Sequence, residues 1–416
     1  MQEQHRTPGP LANRDFRLLL SGSALGQMLG PLQFLTQILW VQHHAPQDIW
    51  LILVALIGAC RGLGALTFGL YGGALADRFD RRKLLLVTQG LLVICTVGIA
   101  ALMASGAGST SAFIVFFALA LLTAGLQSID MPTRLALVPD VLGSALAPRG
   151  ISLNQVAGQL AMPIAMFGTG FLIYALDFGG AYLVSVLGHL AMIGFLMAMH
   201  YEAPRRPQEE PNRYGFAQGI RDVRFGLAYA REHTVVLWVI ILMVAMMGLV
   251  FPATANLGPT WVTKIVGVPV RDVGFVMVTW GIGSLLGAIL MTRFSSIERR
   301  GLLIAGGAVL FCISFVVFVS DNNVTNAVLG NFGLGAGMTI TMVSSTILMQ
   351  QLVPNEVRGR IMSIFQLNMG VAQLMTMPIA LLGQWLTLQV LFPLLAGLAL
   401  ATVLAILMTK RQILRA

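Results

Sequence analysis

Arg61 lies inside an apolar run, residues 49–76, where a charge is costly unless something pairs with it or binds to it. On insertion scales a central arginine costs roughly 2.5–3.5 kcal/mol. Arg61 precedes Asp77 by 16 residues, which places it about 24 Å from that end of the run if the run is helical. Two interpretations follow: Arg61 hydrogen-bonds across a helix interface, or it attracts an acidic or phenolic group of a ligand.

A stripe of polar residues marks an earlier apolar run, 16–41. Its members are Ser23, Gln27, Gly30, Gln33 and Gln37. At about 3.6 residues per turn they fall within an arc of about 120° and therefore share one face of a helix. Buried amides need partners, so this face points into a helix bundle or a wet cavity. Contact between neighbouring helices is the alternative interpretation.

Further polar side chains are candidates for the same cavity: Gln127, Asn154, Gln366 and Gln373. No Asp or Glu lies near the middle of an apolar run, which disfavours a cationic ligand. Asp130, at the end of the run 112–129, is the remaining candidate for carrying a coupling proton.

His189 is a second candidate for proton coupling, although a single histidine in such a run more often serves packing. The three cysteines have no CxxC spacing, so we expect no metal site. We also expect no cofactor, since no nucleotide-binding loop or catalytic triad pattern is present, and we expect the chain not to be an enzyme.

The elements that position these residues are membrane-spanning helices. Hydrophobic types make up 56% of the 416 residues and charged types only 10%, against about 25% charged in soluble domains. Runs of about 20 apolar residues suffice to cross a bilayer, and the chain contains twelve of them. The fifth and sixth are 151–176 and 181–199.

The distribution of the basic residues tests the number of membrane-spanning helices. With both termini on one side, 23 of the 26 Lys and Arg residues fall on that side; the others are Lys264, Arg271 and Arg61. Such segregation predicts that both termini are cytoplasmic. It also argues against a nucleic-acid partner despite the net charge of +9, because the charge faces the membrane surface.

The two halves repeat each other at an offset of 215 residues. Leu137-Val138-Pro139 recurs as Leu352-Val353-Pro354, and Met162-Pro163-Ile164-Ala165 recurs as Met377-Pro378-Ile379-Ala380. Shared offsets indicate a duplicated six-helix unit, an arrangement of transporters whose halves rock about a central site. The predicted units are a cytoplasmic N-terminus (1–15), two six-helix bundles (16–199 and 234–408), a cytoplasmic linker with an amphipathic helix (200–233) and a cytoplasmic C-terminus (409–416).

The segment from Gly73 to Lys83, GALADRFDRRK, resembles the signature loop between helices 2 and 3 of the major facilitator superfamily. Asp80 stands where that family has glycine. Pro132-Thr133-Arg134 and the segment 357–363 resemble the branch that contains the enterobactin exporter and drug and macrolide exporters. The resemblance implies an all-α membrane protein of twelve helices in two bundles.

The signature loop predicts a gate at the cytoplasmic side. A carboxylate at a helix end can hydrogen-bond the N-terminus of a neighbouring helix. The resemblance implies that Asp77 reaches the start of the eleventh membrane-spanning helix, near Arg358 and Arg360. The alternative is that these charges only set topology. The predicted gate residues are Gly73, Asp77, Arg78, Arg81, Arg82, Arg358 and Arg360.

The predicted function is a monomeric transporter of the bacterial inner membrane that exports a small amphiphilic compound, siderophore-like or a hydrophobic drug, by alternating access with proton coupling. The expected partners are this small molecule and the lipid bilayer. An importer of a nutrient or lysophospholipid with the same fold, and a transport-inactive sensor or scaffold, stay open as alternatives.

Overall fold

The computed structural model describes residues 9–106, 108–201, 216–293 and 299–415. Within these ranges it leaves out the side chains of 69–74, 76–78, 159, 216–220, 222, 223, 355, 356, 358–360, 362–367 and 415. The described residues are helical and form no strand. The helices are α1 (Arg14–His44), α2 (Trp50–Arg78), α3 (Arg81–Ala104), α4 (Thr110–Leu142), α5 (Ala147–Ala198), α6 (Phe216–Glu232), α7 (Thr234–Leu249), α8 (Gly258–Lys264), α9 (Val273–Arg293), α10 (Arg300–Ser320), α11 (Val324–Leu352), α12 (Asn355–Leu386), α13 (Leu388–Thr409) and α14 (Gln412–Arg415).

Eleven helical segments among the described residues are long and apolar enough to cross a membrane. One of them, α5, has 52 residues and breaks at Asp177, whose φ of 56° and ψ of 178° are not helical. This break falls between the fifth and sixth predicted runs, at 176 and 181. Counting the two parts of α5 separately, 147–176 and 178–198, gives the twelve segments that the sequence predicts.

The halves follow the internal repeat. α1 to α5 pack together, as do α7 to α13, and the halves meet where α2 packs on α12 and where α5 packs on α9. Because the repeat relates the second predicted run to the eighth and the fifth to the eleventh, these two seams are equivalent positions of the duplicated unit. The central space therefore lies between them.

Glycines allow the seams to be close. A Cβ atom on Gly62 of α2 would lie 3.1 Å from the carbonyl oxygen of Gly370 on α12. A Cβ atom on Gly274 of α9 would lie 2.8 Å from the carbonyl oxygen of Met166 on α5. Small residues let helix backbones approach in membranes, where packing rather than the hydrophobic effect holds helices together.

Side-chain caps fix where two helices begin. Asn13 accepts a hydrogen bond from the amide of Phe16 (3.0 Å) at the start of α1. Asp80 accepts from the amides of Arg82 (2.9 Å) and Lys83 (3.3 Å) at the start of α3. The φ of Asp80 is −57°, so this position does not require the glycine of the family pattern, and the carboxylate satisfies helix amides that glycine would leave to water.

α6 occupies the predicted linker and packs on α12. Arg221 and Arg224 are exposed on it. An amphipathic helix in this linker is expected to lie on the inner membrane surface, and this position stays a prediction.

Candidate substrate cavity and buried polar network

A cavity of about 420 Å³ lies between the two halves. Sites for drug-sized ligands typically measure about 300–1,000 Å³. The first half contributes residues of α1, α2 and α5. The second half contributes residues of α8, α9, α11 and α12 and of the segment 251–256 between α7 and α8. The lining residues are Gly30, Pro31, Phe34, Leu35, Arg61, Met162, Met166, Phe251, Thr254, Ala255, Asn256, Pro259, Met277, Trp280, Ser284, Asn331, Met338, Thr339, Met342, Val343, Met369 and Gln373.

The walls are apolar and adaptable. Six lining residues are methionines and three are aromatic. Methionine side chains are unbranched and polarizable, and they repack around ligands of different shape. Such walls favour a ligand with a hydrophobic body and give little support to several charges.

Arg61 brings the one charge among the lining residues. Its guanidinium carbon lies 4.5 Å from the centroid of the Phe34 ring, in a cation–π contact. We find no hydrogen bond or ion pair between Arg61 and any other residue that the structure describes. Its five N–H donors are therefore available to a ligand or to water. A structural arginine at an interface would instead donate them in hydrogen bonds to carbonyls or amides.

Gln373 supplies further donors close to Arg61. Its Oε1 accepts a hydrogen bond from Asn256 Nδ2 (2.8 Å), and Asn256 Nδ2 also donates to Thr376 Oγ1 (2.5 Å). With Oε1 engaged, the Nε2 amide hydrogens remain as donors at the cavity wall. Gly62, next to Arg61 in the chain, would place a Cβ 3.1 Å from that of Gln373, so both donor groups lie at the same seam.

A second polar assembly, which we call the polar network, lies inside the first half. It joins Gln33, Gln89, Gln127, Asp130, Arg134 and His189 and is built on four helices, α1, α3, α4 and the second part of α5. Asp130 Oδ2 lies 2.5 Å from Arg134 Nε, and Asp130 Oδ1 accepts from Gln89 Nε2 at 2.7 Å.

The polar network continues through His189. His189 Nδ1 lies 2.8 Å from Gln89 Oε1, and His189 Nε2 lies 3.5 Å from Gln33 Nε2. Gln33 Nε2 also donates to Ser185 Oγ (2.9 Å) and Thr96 Oγ1 (3.3 Å). Gln127 Nε2 donates to Gln33 Oε1 at 3.3 Å.

The residues predicted to line the cavity therefore fall into those that line it and those that lie elsewhere. Arg61 and Gln373 line the cavity. Gln33 and Gln127 belong to the polar network, Gln37 donates to Tyr182 Oη (2.8 Å), and Gln27 donates to the carbonyl of Asn154 (3.3 Å). Ser23 is buried outside the cavity lining. The side chain of Gln366 lies outside the described residues.

The predicted gate is described in part. Arg81 donates to Asp140 Oδ2 (2.9 Å) and to the carbonyl of Ala136. Arg82 donates to the carbonyls of Leu196 (2.8 Å) and Met197 (3.1 Å). These are the last carbonyls of α5, where a cation is favoured. The side chains of Asp77, Arg78, Arg358 and Arg360, and the surroundings of Gly73, lie outside the described residues.

We call the side that holds Arg81 and Arg82 the basic side. On the opposite side the halves are joined by Gln42, which donates to Thr263 Oγ1 (2.8 Å), and by Gln384, which donates to the carbonyl of Asp48 (2.7 Å). The halves therefore hold each other on the side of the cavity away from the signature loop.

Several of these residues carry no signal in the sequence that singles them out. Gln89 is the single amide in the run 84–104. Asn256 lies in a π-helical segment, Pro252–Asn256, that interrupts the predicted seventh helix. The prolines at 252 and 259 are the sequence feature that points to this interruption.

The comparisons with known proteins decide the family. A sequence model of the Major Facilitator Superfamily matches residues 19–377 and 261–412. The chain belongs to the Major Facilitator Superfamily. A curated relative in this comparison is the Staphyloferrin A transporter of Staphylococcus aureus, which is 20% identical over 354 residues, 84% of each chain.

Solved structures of transporters share the fold. A point mutant of the nucleoside transporter NupG matches with a TM-score of 0.79 and 13% identity, covering 95% of this chain and 100% of that one. The peptide transporter POT in complex with sulfate matches with a TM-score of 0.75 and 15% identity, covering 97% and 95%. The superfamily expected from the signature loop is thus confirmed, and these matches do not extend to the exporter branch.

Proposed function

We propose that this superfamily member is a secondary active transporter that exports a small amphiphilic anion by alternating access. The observation that carries the proposal is a cavity lined by both halves of the protein. It contains one guanidinium, that of Arg61, which forms no hydrogen bond or ion pair with a described residue. A transport-inactive sensor or scaffold would have no use for such a group at such a cost.

The charge of the cargo follows from the lining residues. Arg61 and the Gln373 amide present donors only, and none of the Asp and Glu residues that the structure describes lines the cavity, so a cation would meet repulsion and an oxyanion would meet charge-assisted hydrogen bonds. One guanidinium compensates one anionic group. A second anionic group on the cargo would be desolvated against methionine and aromatic walls, so the proposed cargo has one acidic or phenolic group on an apolar body.

Export is supported by the signature segments that resemble the enterobactin and drug exporters, Pro132-Thr133-Arg134 and 357–363. The curated relative named as a Staphyloferrin A transporter supports a small organic molecule as the cargo. We place the protein in a bacterial inner membrane as a monomer with both termini in the cytoplasm. An importer with the same cavity is the second candidate, since the cavity chemistry does not depend on direction.

Vesicle orientation separates the two candidates. Metabolites in the medium of cells with and without the gene are compared without preselection, and the compound that differs is offered to inverted and to right-side-out vesicles. An exporter accumulates it in inverted vesicles. Accumulation only in right-side-out vesicles would show an importer, and the lack of any difference with verified expression would contradict a transport function.

A further inference from the structure

The polar network is a directional chain of hydrogen bonds. Gln89 Nε2 donates to Asp130, so Gln89 Oε1 is left to accept. His189 Nδ1, 2.8 Å from that oxygen, must therefore carry the imidazole proton, which leaves Nε2 with a lone pair facing the Gln33 amide at 3.5 Å. The donors of His189 and Gln89 thus point toward the Asp130 carboxylate, and Gln33 Nε2, which also donates to Ser185 and Thr96, faces the lone pair of His189.

Asp130 stands apart from the other acidic residues. Among the described Asp and Glu residues, it is the buried one, with 4% of its surface exposed. A buried carboxylate that interacts with one cation and one amide changes its hydrogen-bonding role completely when it takes up a proton, because it then becomes a donor. Asp140 also accepts from a cation and a hydroxyl group, Arg81 and Tyr201, but it is only partly buried and lies at the basic side.

We propose that Asp130 binds the coupling proton of the transport cycle and that Gln89, His189 and Gln33 transmit its protonation to helix α1. This proposal rests on the proposed transport function. One proton from water adds to a carboxylate oxygen of Asp130 in one conformation, and the same proton leaves to water on the other side of the membrane in the other conformation. Within the protein, the His189 imidazole exchanges its Nδ1–H bond for an Nε2–H bond, and no further covalent bond is made or broken.

Protonation reverses the chain. The Asp130 hydroxyl donates to Gln89, which turns its carbonyl toward it and its amide hydrogens toward His189 Nδ1. The imidazole then carries its proton on Nε2, with no net change in its proton count. That proton requires an acceptor, Gln33 Oε1, which in the described structure accepts from Gln127. The contact between α1 and α4 is therefore exchanged for one between α1 and α5.

Helix α1 carries the network on one face and the cavity wall on another. Gln33 lies in the network, whereas Gly30, Pro31 and Phe34 line the cavity, and the Phe34 ring lies beneath Arg61. A rotation of α1 at Gln33 thus shifts the ring that supports the cavity cation.

The surroundings of Asp130 contain few other charges. The titratable or charged side chains facing it are Arg134 on its own helix and His189 on α5. From α3 it meets Gln89, and α1 lies against Arg134 at Gly26, where a Cβ would be 2.9 Å from Nη2. α2 packs on α4 through Gly64 and Phe68 over its described side chains. Arg81 and Asp140 pair further toward the basic side.

The experiment uses the full chain in lipid nanodiscs and two measurements. Infrared spectra during a pH change should show a carbonyl-stretch band of a buried carboxyl group that titrates, and this band should be absent in Asp130→Asn. Asp272→Asn, which removes a carboxylate whose side chain is 48% exposed, is the matched control and should keep the band. Since Asp130→Asn leaves Arg134 unpaired, the double variant Asp130→Asn with Arg134→Gln is measured in parallel.

The second measurement is binding of naphthalene-1-sulfonate, whose charge does not titrate, from mildly acidic to mildly alkaline pH. For an antiporter we expect binding several-fold tighter at alkaline pH in the wild type, and weak, pH-independent binding in both Asp130 variants. A band and a pH dependence that survive in these variants would overturn the proposal, as would the lack of a titrating band in the wild type. A band that titrates without any binding of the sulfonate would leave the proton site supported and would count against the anionic cargo.

Discussion

Replacing Arg61 by glutamine tests the cavity chemistry directly. The substitution keeps a polar side chain with amide donors and removes the positive charge. Arg61 forms no hydrogen bond with a described residue, and its described interactions are the Phe34 contact at 4.5 Å and an electrostatic interaction with Tyr182. The folded protein therefore loses little. A cation–π contact contributes roughly 0.5–2 kcal/mol, and part of it is offset because a buried charge no longer has to be desolvated.

The loss in binding should be larger than the loss in stability. Hydrogen bonds to a charged group contribute roughly 1.5–3 kcal/mol. Since about 1.4 kcal/mol corresponds to a tenfold change in Kd, Arg61→Gln should weaken binding of a monoanion about 10- to 150-fold. The naphthalene series supplies matched ligands: the sulfonate, the neutral sulfonamide and the 1,5-disulfonate.

Calorimetry in nanodiscs, with empty nanodiscs as the blank, measures the three ligands. The wild type should bind the monosulfonate best, and Arg61→Gln should lose that preference while binding the sulfonamide as before. Arg271→Gln is the matched control, because it removes an equal charge from an exposed side chain outside the cavity lining, which contacts Tyr174 and Asp272. Equal losses for the sulfonate and the sulfonamide, together with a lower Tm, would refute the reasoning and make Arg61 an interface strut. Unchanged binding and stability would contradict both interpretations.

Three further predictions concern the gate, the topology and the seams. Asp77→Asn should keep expression and lower transport, because it removes charge-assisted hydrogen bonds at constant size. Equal transport rates of the variant and the wild type, in vesicles with equal amounts of protein, would contradict the predicted gate. A reporter fused after Ala416, or placed within 201–233, should be active only in the cytoplasm, and periplasmic activity at either site would show that the predicted topology is wrong. Gly274→Val should open the seam between α5 and α9 at a cost of about 1–3 kcal/mol and expose Thr263→Cys to an impermeant maleimide. Gly306→Val, where nothing lies within 4 Å of the added carbon, should leave that labelling unchanged.

Much of the architecture follows from periodicity and charge. Apolar runs of spanning length and the offset of 215 predict the duplicated bundle, and a single charge within a run identifies Arg61. The length of an apolar run, a charge within it and the spacing of a repeat can all be found without knowing which helices pack together. The break at Asp177 agrees with the predicted boundary between two runs although the chain continues as helix on both sides.

The residues that line the cavity are harder to predict from the sequence, for a physical reason. A polar stripe indicates which residues share a face but not which helix that face meets. Gly30 of the stripe lines the cavity, whereas Gln33 and Gln37 bond to the second part of α5. Asn256 depends on a local π-helical segment, and its contact with Gln373 spans more than a hundred residues of sequence, so no local pattern predicts it.

The repeat itself argues that the charges of the network serve something other than folding. At the offset of 215, Asp130 corresponds to Ser345 and Arg134 to Met349, and both second-half residues are buried in α11. The equivalent helix thus packs without an ion pair.

The second-half residues can therefore be transplanted, as Asp130→Ser with Arg134→Met. Replacing both partners of a buried pair by residues without charge is often neutral or stabilising, whereas removing one partner costs about 3–5 kcal/mol. We expect the double variant to match the wild type in Tm, Arg134→Met alone to be clearly less stable, and the double variant to bind naphthalene-1-sulfonate without pH dependence. A double variant that unfolds would make the pair a structural requirement of the first half. One that keeps its pH dependence would place the coupling proton elsewhere, because the only buried acid among the described residues would then be gone.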